Sequence, residues 1–137
     1  MNDNAPVLLV EDDEVDVMTV RRALRDLAVT NPLHLAGDGE EALHVLRDDG
    51  LLPGLILLDI NMPRMNGIEF LREIKADPTL KRIPVVVLTT SKEESDRFEA
   101  FGLSVAGYMI KPADYQQFVE LMRTINLYWT TCEAIPR

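Results

Sequence analysis

Five short strand-like segments, the apolar runs Val7 to Val10, Leu55 to Leu58, Val85 to Leu88 and Val105 to Ile110 with the alternating Leu33-His34-Leu35-Ala36 second in order, alternate along the chain with stretches whose apolar residues recur at helical spacing. Short, continuous apolar runs are the pattern of strands covered on both faces, and amphipathic helices between them supply the cover. Strands joined this way run parallel through right-handed crossovers, which leaves few possible arrangements.

The helical stretches carry their own signals. Val17, Val20, Ala23, Leu24 and Leu27 share a stripe in the first, which spans Val15 to Leu27, and Ala42, Leu43, Val45 and Leu46 form the apolar face of the second. Gly37-Asp38-Gly39 turns into that second helix and Asp48-Asp49-Gly50 breaks it. Ile68, Leu71 and Ile74 mark the third, stopped by Asp77-Pro78, and a more polar helix from Glu93 to Phe101 ends at Gly102. Asp114 caps a last helix with Phe118, Leu121, Met122, Ile125 and Trp129 on one stripe. The resulting fold class is α/β: a doubly wound five-stranded parallel sheet, flavodoxin-like, in strand order 2-1-3-4-5 with helices on both faces. At 137 residues the chain fits one domain, with its core at about 5–126 and an extension at 127–137.

Polar groups arrive where the runs end. Glu11-Asp12-Asp13 follow the first, Asp59 the third, Thr89 the fourth, and Lys111-Pro112 the fifth. The carboxyl ends of the strands in an open parallel sheet share one edge, so these residues are expected to meet in one crevice. Carboxylates gathered there repel one another and demand a cation, and a hard divalent ion with oxygen ligands suits them. Magnesium is the expected ion. Asp13 reads instead as an acid at the amino end of the first helix, favoured by the helix dipole.

Residues 5–126 resemble the receiver domain of two-component response regulators, in which an acidic pair, an Asp, a Thr or Ser and a Lys-Pro recur after the first, third, fourth and fifth strands. The resemblance implies that Asp59 accepts a phosphoryl group from a histidine kinase or a phosphotransfer protein. It also implies that Asp12 and Asp59 bind Mg2+ directly, that Asn61 offers its backbone carbonyl, and that Glu11 acts through water. Lys111 and Thr89 would stabilise charge on the transferring group. Tyr108, three residues before Lys111, matches an aromatic whose rotamer follows phosphorylation through Thr89, so these two form the expected switch. Such a protein is a phosphoacceptor, not an enzyme beyond its own phosphorylation and dephosphorylation.

The chain ends about 25 residues after Lys111, so no output domain is expected to follow. Its ending, Ile125 to Pro136, is aromatic for a terminus and holds the only tryptophan. With Val10-Glu11-Asp12-Asp13 and a long connection before the second strand, it is similar to single-domain regulators paired with phytochrome-type histidine kinases. That likeness implies a bacteriophytochrome as partner and a homodimer with Phe118, Met122, Ile125, Tyr128 and Trp129 at the interface. A formal charge of -9 argues against nucleic acid. No stretch approaches the ~20 apolar residues of a membrane span, and the protein is read as cytoplasmic.

Other readings share this topology. A phosphatase of the haloacid dehalogenase type would need an acid two positions after its nucleophile, where this chain has Asn61. A flavin carrier would need a loop rich in Ser, Thr and Gly after the first strand, and Glu11-Asp12-Asp13 would repel its phosphate. Within the receiver reading, a phosphate sink or phosphorelay shuttle without its own effector is the alternative.

Overall fold

A computed structural model of the protein describes residues 5–60, 67–89, 92–111 and 114–131, the side chains of 128–131 excepted. Strands β1 (Val7–Val10), β2 (Leu33–Ala36), β3 (Leu55–Asp59), β4 (Val85–Thr89) and β5 (Gly107–Ile110) form one parallel sheet in the order β2-β1-β3-β4-β5. Between and after them run helices α1 (Glu14–Asp26), α2 (Gly39–Arg47), α3 (Gly67–Lys75), α4 (Lys92–Glu99) and α5 (Tyr115–Thr131). The expected flavodoxin-like architecture is the one observed.

Strand alternation divides the core in two. Leu8, Val10, Ile56, Leu58, Val85 and Val87 pack with Leu46, Phe70, Leu71, Ile74 and Phe98 from α2, α3 and α4. On the other face Val7, Leu9, Leu55, Leu57, Val86 and Leu88 pack with Val20, Ala23, Leu24, Phe118, Met122 and Ile125 from α1 and α5. Burying side chains of this size contributes roughly 1.5–3 kcal/mol each, and cover on both sides is why β1, β3 and β4 read as unbroken apolar runs.

This packing corrects the expected interface. Phe118, Met122 and Ile125 are 5%, 2% and 3% exposed and belong to the chain's own core. A helical apolar stripe looks the same whether it covers a sheet or a second subunit, and here the sheet takes it. The side chains of Tyr128 and Trp129 lie outside the described residues. α5 runs unbroken to Thr131, so residues 127–131 continue the last helix.

The caps follow the sequence closely. Asp13 accepts hydrogen bonds from the amides of Val15 and Asp16 at 2.8 and 3.2 Å, starting α1. Asp38 accepts from Glu41 N at 2.8 Å, and Asp114 from Gln116 N at 3.0 Å. Gly102 ends the α4 segment with φ of +70°, the left-handed conformation that glycine adopts without strain. Two local features differ from expectation. A 3-10 turn at Leu80–Arg82 precedes β4, and β5 starts at Gly107, two residues later than the apolar run suggested, because Val105 packs onto the core before pairing begins.

Gly67 opens α3 where the chain returns after Ile60. A Cβ added there would meet the Ile60 Cα at 2.7 Å, a backbone contact that cannot yield locally. Gly67→Ala is therefore expected to lower stability by about 1–3 kcal/mol, the range for overpacking a filled site. Urea melts of the two proteins check this, and equal midpoints would refute it. No helix among the described residues is long and apolar enough to cross a membrane.

Candidate functional site

Parallel register builds the site as a staircase along one edge of the sheet. Val10 aligns with Leu58, so Glu11, one residue past β1, comes level with Asp59. Asp59 aligns with Leu88, which sets Thr89 one step further, and Thr89 aligns with Ile110, which sets Lys111 one step further again. The Lys111 amide donates to the Thr89 carbonyl at 2.7 Å and locks that last step. Four residues spread over 101 positions of sequence thus converge because each strand end is offset from the next.

The side chains form a compact charged cluster. Oxygens of Glu11, Asp12 and Asp59 lie within 4.8 Å of one another, with Glu11 and Asp59 buried and Asp12 exposed. Lys111 Nζ donates to Glu11 Oε1 at 3.0 Å and to Asp16 Oδ2 at 2.9 Å, and stands 3.9 Å from Asp59 Oδ2. Burial works against the Lys111 charge. The hydrogen bond to Asp16 and the charge of Asp59, together with Glu11, outweigh it and hold the ammonium above the usual lysine range.

Glu11 is pushed the other way. Burial, then a hydrogen bond and like charge shared with Asp59, raise it to about 8, although Lys111 pulls it down. Three hard oxygen donors held together against mutual repulsion fit a divalent cation such as Mg2+. Asn61, expected to add its backbone carbonyl, lies outside the described residues.

This arrangement has a consequence for pH. Burial and Asp59 raise Glu11 from the ordinary 4.5 to about 8 in the fold, so between those values the folded chain favours the proton that the unfolded chain gives up. Its contribution to stability is complete below the lower value and is lost as pH rises through the upper one. In chelator, the melting temperature is therefore expected to fall as pH rises from about 4.5 to about 8. Magnesium binds the deprotonated cluster, so the stabilisation it adds should grow over the same range. Thermal scans with chelator and with Mg2+ check this, and an increment independent of pH would refute it.

Thr89 is fully buried at the end of β4. It lies two residues beyond Val87 and so continues the sheet face that also carries Tyr108, whose partner across the sheet is Val87. Tyr108 is half-buried and meets Phe98 of α4 edge to face, with ring centroids 5.7 Å apart and an interplanar angle of 69°. Burial and the charge of Glu99 raise its phenol.

Asp16 was not anticipated as part of the site. Position three of a helix is a common place for an acid, and that reading hides it. One signal was available: Asp16 lies four residues before Val20 and seven before Ala23, both buried, so it falls on the stripe that faces the sheet.

A family model described as "Response regulator receiver domain" matches residues 7–123. Response regulator Rcp1 of Synechocystis is 37% identical over 135 residues, covering 95% of this chain and 92% of that protein. The crystal structure of the Mn(2+)-bound form of Rcp1 superposes with a TM-score of 0.83, at 36% identity over 97% of this chain and 99% of that one. The phosphorylated cyanobacterial phytochrome response regulator RcpA gives a TM-score of 0.87, at 38% identity over 98% and 100% of the two chains. The bacteriophytochrome response regulator RtBRR gives 0.79, at 35% identity over 98% of this chain and 85% of that one.

Proposed function

Because the chain belongs to the family of response regulator receiver domains, we propose that it takes a phosphoryl group from a histidine kinase onto Asp59, and that this kinase is a phytochrome-type light sensor. The observation that carries the first part is the Asp59 carboxylate itself. It ends β3 within the group of Glu11 and Asp12 oxygens, with the Lys111 ammonium at 3.9 Å. The kinase assignment is supported by the likeness to RcpA, a phytochrome response regulator, and RtBRR, a bacteriophytochrome response regulator.

In the proposed reaction an Asp59 carboxylate oxygen attacks phosphorus in line with a phosphohistidine. The P–O bond forms as the P–N bond breaks, and the imidazole nitrogen keeps the electron pair. Charge spreading onto the equatorial oxygens meets Lys111, 3.9 Å from Asp59, and the hydroxyl of Thr89. Glu11, Asp12 and Asp59 would hold Mg2+, which when bound neutralises charge among the carboxylates and on the phosphoryl oxygens. The chain is a signalling phosphoacceptor and not an enzyme that turns over an external substrate.

Output is assigned to the face on which Thr89 and Tyr108 lie. Recruitment of Thr89 by the phosphoryl group would open space for the Tyr108 ring beside Phe98 and so alter the surface of α4 and β5. A cytoplasmic homodimer through α4, β5 and α5 is the assembly proposed. Its support is Ile110 and Leu127, large apolar residues 45% and 56% exposed on β5 and α5. A net charge of -9 supports a protein partner and not nucleic acid.

Incubation with a small acyl phosphate, followed by intact-mass measurement, tests the phosphoacceptor reading. One added phosphoryl group with Mg2+, and none with chelator, is expected. No adduct in either condition would overturn it.

A further inference from the structure

We propose that Asp16 is a positioning residue that holds Lys111 away from Asp59 until a phosphoryl group displaces it. This rests on the reading of Asp59 as the phosphoacceptor and adds to it a residue that competes for the lysine.

Asp16 sits at the third position of α1, after the Asp13 cap. An acid there commonly reaches back to the amide of the capping residue. Here that amide, Asp13 N, donates to Glu11 Oε2 at 3.4 Å, and the Asp16 carboxylate goes elsewhere. It accepts from Lys111 Nζ at 2.9 Å, across 95 residues of sequence. The Asp16 amide is itself tied to Asp13 Oδ1 at 3.2 Å, which fixes its backbone in the first turn of α1.

The distances order the three carboxylates around the ammonium. Asp16 and Glu11 lie at hydrogen-bond length, while Asp59 at 3.9 Å forms an ion pair beyond that length. A nucleophilic carboxylate gains from that spacing, since a direct hydrogen bond from an ammonium would tie up its lone pairs. Glu11 belongs to the cation-binding group and is 2% exposed at its side chain, whereas the Asp16 side chain is 39% exposed and its hold on Lys111 is the more easily exchanged. Once Asp59 carries a phosphoryl group, the added negative charge competes for the same ammonium. Lys111 then leaves Asp16 for a phosphoryl oxygen, and the bond between the start of α1 and the end of β5 is lost.

The test measures the dissociation constant of beryllofluoride, a phosphoryl mimic that binds a carboxylate oxygen, at saturating Mg2+. The full chain is compared with Asp16→Asn, Asp16→Glu and Glu14→Gln. Removing the competing charge should tighten binding in Asp16→Asn by roughly three- to tenfold, the span of a part-exposed charged hydrogen bond. Asp16→Glu keeps the charge and should stay within about twofold of the parent. Glu14→Gln removes a charge from the same helical turn without touching Lys111 and should do the same. Unchanged or weaker binding in Asp16→Asn, or an equal gain in Glu14→Gln, would overturn the proposal. A folded parent chain that binds no beryllofluoride at all would instead overturn the phosphoacceptor reading, and this inference with it.

Discussion

Asp59→Asn is expected to abolish phosphorylation completely, with no residual adduct after prolonged incubation with a small acyl phosphate and Mg2+. An amide oxygen does not form a stable acyl phosphate, and no neighbouring carboxylate is equivalent. Glu11 is engaged by Lys111 and by the Asp13 amide, and Asp12 is exposed at the rim. The fold should tolerate the change. Asp59 adds like charge to Glu11, so its neutralisation removes repulsion from a buried pair and should return Glu11 toward its ordinary range. The melting temperature is accordingly expected to be equal or higher, while Mg2+ affinity falls. Intact mass, thermal scans and metal titration of the variant read these three outcomes separately.

Phe98→Ala should have the largest effect on stability. Phe98 is 1% exposed, anchors α4 to the core under β4 and β5, and packs edge to face on Tyr108. Removing a buried aromatic costs about 3–5 kcal/mol, from lost transfer energy and the cavity left behind. About 0.5–1.5 kcal/mol of that belongs to the ring pair and should appear as coupling in a cycle with Tyr108→Ala. Since α4 is otherwise polar, with only Ser95 and Phe98 buried, loss of Phe98 should free this helix before the rest of the sheet opens. Hydrogen exchange of the α4 amides against those of β1 and β3 checks that ordering, and equal protection would count against it.

Much of the fold was legible because the sheet is covered on both faces. Apolar runs such as Leu55 to Leu58 have no polar alternation to confuse their reading, and caps such as Asp13 announce where helices begin. The site was legible for a related reason: strand ends in register carry their polar residues to one edge. What escaped depends on direction in space. The α5 stripe of Phe118, Met122 and Ile125 is apolar in the sequence whether it covers the sheet or a partner, and only packing decides. Asp16 reads as an ordinary acid near a helix start until Lys111 is seen 2.9 Å away. The steric need for glycine at residue 67 arises from Ile60, which approaches only after the chain has turned back. The start of β5 could not be placed either, because Val105 is apolar for packing and not for pairing.

The most direct test of the account is to find which residue carries the phosphoryl group. Borohydride reduces an aspartyl phosphate to homoserine, so treating the phosphorylated chain, digesting it with trypsin and fragmenting the peptides locates the modified position. Homoserine at residue 59, and at no other acid, is the result expected. Homoserine at Asp12, or at Asp48 or Asp49 in the same tryptic stretch as Asp59, would contradict it.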